Sequence, residues 1–203
     1  MPVEMPTEYH EFHSTDEAER WAEVHFPDIC GEQRASNPDY DCLYLYAGNG
    51  YQIYNADLRY GVKSDKQSEH EISQLTDILE RYELPEPMVA YRYTHKQDLQ
   101  LLLRGERLRP GLRFADKAFF STSLVKSSLD EFRKRYKRNC LLKLYLPKGI
   151  RCAYISLKNT GSQLNEQELL LQRDTEFEII KIHRFCCPMV IECRAIIKPT
   201  LEV

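Results

Sequence analysis

Three short stretches carry polar groups where a core strand would be apolar. Arg92 interrupts MVAYRYT (88–94), Ser121, Thr122 and Ser123 fall in AFFSTSL (118–124), and Glu166 and Glu168 open EQELLLQ (166–172) just ahead of three leucines. Side chains two apart in a strand share a face, so the two glutamates are expected to point the same way, two like charges beside a segment patterned for burial. Burying either carboxylate is costly, which makes the pair informative. An arginine fork grips a phosphate through two parallel hydrogen bonds. A hydroxyl can hold a carboxylate in one rotamer. A carboxylate in a cleft can stabilise positive charge developing on a sugar ring. Together, a phosphate grip and a carboxylate at an anomeric carbon describe cleavage of a nucleotide's N-glycosidic bond without a metal.

The elements that must position these residues follow from the hydrophobic periodicity. Ser14 and Glu17 have capping-box spacing ahead of AERWAEVHF, which places a helix around Trp21, the sole tryptophan. Residues 31–41 read as a loop, and 44–61 (YLYAGNGYQIYNADLRYG) as helix around a break at Gly48–Gly50. Ile72, Leu75, Ile78, Leu79 and Tyr82 recur at helical spacing in a segment that Pro85 ends. Thereafter the period shortens. A strand over 88–94, a short helix over 96–105 stopped by Gly105, a strand over 118–124 and an amphipathic helix over 127–138 lead into five closely spaced strands: CLLKLYLP, IRCAYIS, EQELLLQ, TEFEIIKI and MVIECRAIIK. Helices early and strands late predict an α+β fold with mainly antiparallel sheet.

A chain of 203 residues, 42% hydrophobic, fits one catalytic domain (41–203) with a helical extension (1–40). A net charge of −3 gives no reason to expect a nucleic-acid partner. Seven cysteines without a CxxC pair, and six histidines without ligand spacing, point away from a zinc site or a disulfide scaffold and towards free thiols in a reducing compartment. The start of the chain is polar and unlike a signal peptide, and no stretch reaches about 18 apolar residues, so no membrane span is expected. A cytosolic site of action is expected, that of a secreted effector included, with the protein working as a monomer. Arg133-Lys134-Arg135 with Lys137-Arg138 reads as a solvated helix face, and Cys186-Cys187 as strand packing beside Pro188.

The order of these stretches resembles the mono-ADP-ribosyltransferases of the Arg–Ser–Glu class, represented among clostridial binary toxins, related bacterial effectors and vertebrate ecto-enzymes. The flanks resemble the family as well. IYNADLRYG (53–61) is similar to its I-N-x-x-L-R helix segment, LPEPMVAYR (84–92) to L-P-…-Y-R, and FADKAFFSTSL (114–124) to D-x-x-F-x-S-T-S. LKLYLPKG (142–149) is similar to I-x-x-P-x-G, and EQELLLQRDTEFEI (166–179) to E-x-E-x-L-L-…-T-x-F-x-I. The resemblance spans about residues 44–182 and implies two packed, mainly antiparallel sheets around an NAD cleft.

The resemblance also implies roles. Arg92 binds the NAD diphosphate, with Arg59 a second cation and Asn55 helping to place the nucleotide. Ser121 hydrogen-bonds the catalytic glutamate, Thr122 and Ser123 support the strand end, and Tyr91 joins the cofactor-binding set. Glu168 holds the ribose 2′-hydroxyl and stabilises the oxocarbenium ion as nicotinamide leaves, while Glu166 meets the acceptor. Glutamate at 166 favours an arginine acceptor, although a carboxylate there could equally serve a serine or threonine hydroxyl. Gly161, Ser162, Gln163, Leu164 and Asn165 belong to the implied acceptor loop, 156–165. That loop lacks the aromatic of many relatives, which counts against actin and small GTPases as targets. NAD glycohydrolysis is the neighbouring alternative; a metal-dependent nuclease and a non-catalytic binding module are the remote ones.

Overall fold

The structure, a computed structural model, describes residues 8–30, 37–62, 66–155 and 166–197. Helix α1 (Thr15–His25) starts where the capping box places it. The Ser14 hydroxyl accepts from the Glu17 amide at 3.3 Å, and the Glu17 carboxylate accepts from the His13 amide at 3.3 Å. α2 (Pro27–Cys30) follows, then α3 (Pro38–Leu45), capped by Asn37 with Pro38 in its first turn. The break anticipated at Gly48–Gly50 is a π-turn, Tyr46–Gly50, running straight into α4 (Tyr51–Tyr60). Gly50 is needed there because a Cβ would lie 2.8 Å from the Tyr54 ring. Gly61, at φ +63°, ends α4 in the left-handed region. α5 (Lys66–Arg81) buries Ile72, Leu75, Ile78 and Leu79, but stops four residues before Pro85. Leu84 is fully buried and its backbone pairs with Ile150 and Gly149, so tertiary bonding sets that end earlier than the proline would.

Eight strands form one sheet in the order β2-β7-β8-β4-β1-β3-β6-β5. They are β1 (Met88–Thr94), β2 (Arg113–Ala115), β3 (Phe120–Ser123), β4 (Cys140–Leu146), β5 (Cys152–Ile155), β6 (Glu168–Leu171), β7 (Glu176–His183) and β8 (Met189–Ile196). All pairs are antiparallel except β4–β8. The implied pair of separate sheets is therefore not what the ladder shows. A five-strand part and a three-strand part are joined between β1 and β3 through the register Tyr91↔Ser123. The remaining helices are α6 (Lys96–Leu102), after β1, and α7 (Asp130–Tyr136), entered through a 3₁₀ turn over Lys126–Leu129. β2 and α2 escape sequence reading because three or four residues are too few to display a period.

The strand period sorts β1 into two faces. Met88 and Ala90 join the main core with Leu142, Leu144, Phe119, Phe120 and Leu169–Leu171. Val89, Tyr91 and Tyr93 join a second cluster on the other face with Leu129 and Leu141. Phe12, Trp21, Phe26 and Ile29, from the first thirty residues, pack into the same main core as the strands. The Trp21 indole nitrogen donates to Glu86 at 2.8 Å, tying α1 to the approach of β1.

Gly50 gives a direct test of the π-turn. The Tyr54 ring it must accommodate is buried and bonded to Glu71, so it cannot swing aside freely. Gly50→Ala is expected to lower stability by about 1–3 kcal/mol, the range for overpacking a filled site, measured by urea unfolding.

Candidate functional site

Arg92 follows Ala90 on the core-facing side of β1, so a guanidinium stands where the strand pattern would place an aliphatic chain. Its Nη1 donates to the Ser121 carbonyl at 2.6 Å, and its Cζ lies 4.5 Å from the centroid of the Phe120 ring. This combination of a backbone acceptor and an aromatic face orients a planar cation. Burial pushes the Arg92 pKa down, the Arg59 charge adds to that, and Asp116 opposes it. The group stays cationic all the same, because a guanidinium does not deprotonate in proteins.

Glu168 is the first residue of β6 and lies opposite Ser123 of β3 in the antiparallel register. The Ser121 side chain, two residues back on β3, lies near enough to act on its carboxylate as a hydrogen-bonding group. Burial pushes the Glu168 pKa up to about 7 and the neighbouring Glu166 charge pushes the same way, while the Ser121 bond and Arg92 pull it down. Glu166 is likewise raised by burial and lowered by Arg92. The two carboxylates and the arginine thus lie within one another's fields, with the serine side chain acting on the second acid.

The two glutamates come together by a route different from the one expected. Only Glu168 lies in a strand; Glu166 precedes it, and Gln167 between them has φ +50°. A left-handed backbone is uncommon for a residue other than glycine and persists where surrounding bonds hold it. Here the Gln167 side chain turns into the protein, where it accepts from the Tyr154 hydroxyl and donates to Glu19 at 3.3 Å, and its carbonyl accepts from the Leu124 amide at 3.0 Å. The anchored glutamine, and not simple strand alternation, sets Glu166 beside Glu168.

The other candidates are distributed unevenly. Thr122 and Ser123 are buried and serve the backbone: Thr122 donates to the Leu169 carbonyl at 2.7 Å, and Ser123 donates to the Val125 carbonyl at 2.9 Å and accepts its amide at 3.2 Å. Asn55 is buried on α4. Its Nδ2 donates to the Tyr46 hydroxyl at 3.1 Å, while its Oδ1 is buried without a partner among the described residues. Such an orphaned acceptor suits a bound ligand's donor. Arg59 makes a forked bond to Asp116, with Nε at 2.9 and 3.1 Å from its two oxygens. Tyr91 is not brought to this group. It lies on the opposite face of β1, where its hydroxyl donates to Glu11, which also accepts from Lys143 at 2.7 Å. Gly161, Ser162, Gln163, Leu164 and Asn165 lie outside the described residues.

Sequence reading missed Tyr46, Phe120, Asp116 and Gln167. Tyr46 is fully buried in the π-turn, and its pKa is raised by burial and then by the Glu168 charge, with Arg92 and Arg59 acting oppositely. It therefore lies in the field of the acid and both arginines. The glycines that follow it in YAGNG were the available signal. Among the described residues no group of three or more His, Cys, Asp or Glu is placed to hold a metal ion, and no helix is long and apolar enough to cross a membrane.

Two arginines, an orphaned buried acceptor and a carboxylate whose pKa is raised to about 7 thus share one region of the fold. Among solved structures, the fold is similar to Plx2a, an ADP-ribosyltransferase toxin from Paenibacillus larvae. The TM-score is 0.69 at 22% identity, over 92% of this chain and 99% of that one. It is similar also to C3stau2 from S. aureus, solved with NAD, with a TM-score of 0.71 at 20% identity over 95% and 100%. A third is BECa, an ADP-ribosylating toxin of a binary enterotoxin of C. perfringens solved with NADH, with a TM-score of 0.72 at 20% identity; this chain covers 50% of its length. Comparison with curated protein sequences finds no match. Residues 18–187 match the ADP-ribosyltransferase exoenzyme family. The chain belongs to that family, and it is an NAD-dependent mono-ADP-ribosyltransferase.

Proposed function

We propose that the protein transfers ADP-ribose from NAD to an arginine side chain of a protein. The observation that carries this reading is the Glu168 carboxylate, acted on by the Ser121 side chain and set in the opposing fields of Arg92 and Glu166. Arg92 and Arg59 take the diphosphate, and Asn55 offers its free Oδ1 to the nucleotide. Glu168 accepts from the ribose 2′-hydroxyl and faces the anomeric carbon. As the bond from that carbon to the nicotinamide nitrogen breaks, the electron pair leaves on nicotinamide, which departs neutral, and the carboxylate stabilises the oxocarbenium charge left on the sugar. Glu166 takes a proton from the acceptor guanidinium as its nitrogen bonds to the anomeric carbon, because a protonated guanidinium is a poor nucleophile. Residues 156–165, which lead directly into Glu166, supply acceptor contacts, and the target is a protein of a host cell.

The two acids separate in their consequences. Glu168→Ala is expected to abolish both nicotinamide release and transfer, by roughly 10²–10³-fold or more. Glu166→Ala is expected to cut transfer to a polyarginine or protein acceptor by about 10²-fold while leaving nicotinamide release in water within a few-fold. Mass spectrometry of the adduct, run beside a nicotinamide assay, measures both. Equal loss of the two activities in Glu166→Ala, or an adduct on a side chain other than arginine, overturns the acceptor assignment.

Protonation gives a second test. The ionised form of Glu168 is the active one, so kcat/KM for NAD should climb as pH rises through about 7 and level off above it. Ser121→Ala removes a bond that lowers this pKa, so the rising limb should move to higher pH.

The same raised pKa makes a stability prediction. The unfolded chain releases this proton near 4.5 and the folded chain near 7, so between those values the folded state binds more protons and stability falls as pH rises. Glu168→Gln removes that penalty. Its melting temperature relative to the parent should be higher above neutral pH than at pH about 5, measured by thermal unfolding across pH.

A further inference from the structure

Phe185 is fully exposed at the tip of the β7–β8 connection, followed by Cys186 and Cys187, both exposed. The other thiols are buried, or half-buried at Cys30. The packing role expected for this cysteine pair therefore does not hold, and an apolar tip projects into solvent. Two bonds set it among cations. Arg184 Nη2 donates to the Leu108 carbonyl at 2.9 Å, tying the connection to the segment that carries the exposed Arg104, Arg107 and Arg109. The Met189 amide, at the start of β8, donates to the Asn139 carbonyl at 3.1 Å, so the connection returns to the sheet beside the residue that follows the basic run. There Lys134, Arg135 and Lys137 are exposed, and Tyr136 is 45% exposed. Among the nearby acids, Asp98 and Glu106 are paired with Arg138 and Arg109, and α7 also carries Asp130 and Glu131 in its first turn. A chain of net charge −3 thus concentrates positive charge at one end of its sheet, around an apolar tip.

We propose that this end docks on an anionic phospholipid bilayer. The cations meet lipid phosphates and carboxylates, and Phe185 with its two thiols enters the headgroup layer. A convex tip offers no groove to track a polynucleotide backbone, and an apolar residue at its most protruding point suits a soft apolar phase. The proposal uses neither glutamate and not Arg92, so it stands independently of the acceptor assignment.

The test is co-sedimentation of the whole chain with vesicles of phosphatidylcholine alone or mixed with phosphatidylserine. Partition onto the anionic vesicles should exceed that onto neutral ones by about tenfold or more, and should fall as salt is raised. Phe185→Ser, and separately the double variant Arg135→Glu/Lys137→Glu, should each reduce that partition several-fold. All of these positions are exposed, so far-UV spectra and nicotinamide release in solution should match the parent. Equal partition onto both vesicle types, no partition, or partition unchanged in either variant overturns the proposal. Capture of RNA in place of anionic vesicles overturns it too and assigns the patch to nucleic acid.

Discussion

Arg92 stands on the face of β1 that otherwise carries Met88 and Ala90 into the main core, and the cost of holding a guanidinium there constrains everything around it. A buried charge persists only if its donors are met and its field is answered. The Ser121 carbonyl meets one donor, the Phe120 ring supplies an electron-rich face, and the fields of Asp116 and Glu168 answer the charge. The junction between β1 and β3 runs through Tyr91 and Ser123, so the arginine sits where the two parts of the sheet meet. The place where the ladder is thinnest is thus also the place where side chains of both parts can reach one small molecule.

Around that centre the protein holds its ionisable groups in unequal states. Glu168 is poised near neutrality because burial and Glu166 push its pKa up while Ser121 and Arg92 pull it down. A carboxylate left fully solvated would ionise more readily but would be a weaker partner for a developing cation, since water would screen it. Gln167 holds the backbone between the acids in a left-handed conformation, anchored at both ends of its side chain. This local strain is confined to the residue that sets the spacing of the two acids, and the bonds that over-determine it come from β5 and α1.

Much of the architecture was legible beforehand. The long amphipathic α5 and the strands from β4 onward carry complete periods, and each lies within a few residues of its expected place. Elements too short for a period, such as β2 and α2, were not legible. Neither was the π-turn, because a π-turn and an ordinary helix break share the same glycine-rich composition. The ends of elements depended on contacts made elsewhere: α5 stops at Arg81 because Leu84 is committed to the core and to pairing with Ile150, not because of Pro85.

For the site, residue types drew attention to Arg92, the Ser121–Ser123 run, Glu166 and Glu168, because a cation, hydroxyls and paired acids in apolar strands are costly and therefore conspicuous, and the family resemblance implied the role of each. Their partners were not visible, since a partner is chosen by distance in space. Asp116 meets Arg59 across 57 positions, and Gln167 reaches Glu19 across 148. Tyr91 shows the same limit in reverse: adjacent to Arg92 in the chain, it is turned to the other face by the pleat and bonds to Glu11. The amino-acid order specified the chemistry available and the period of each strand. Only the folded chain decided which charges share a field, because electrostatic coupling and burial depend on separations that no local pattern encodes.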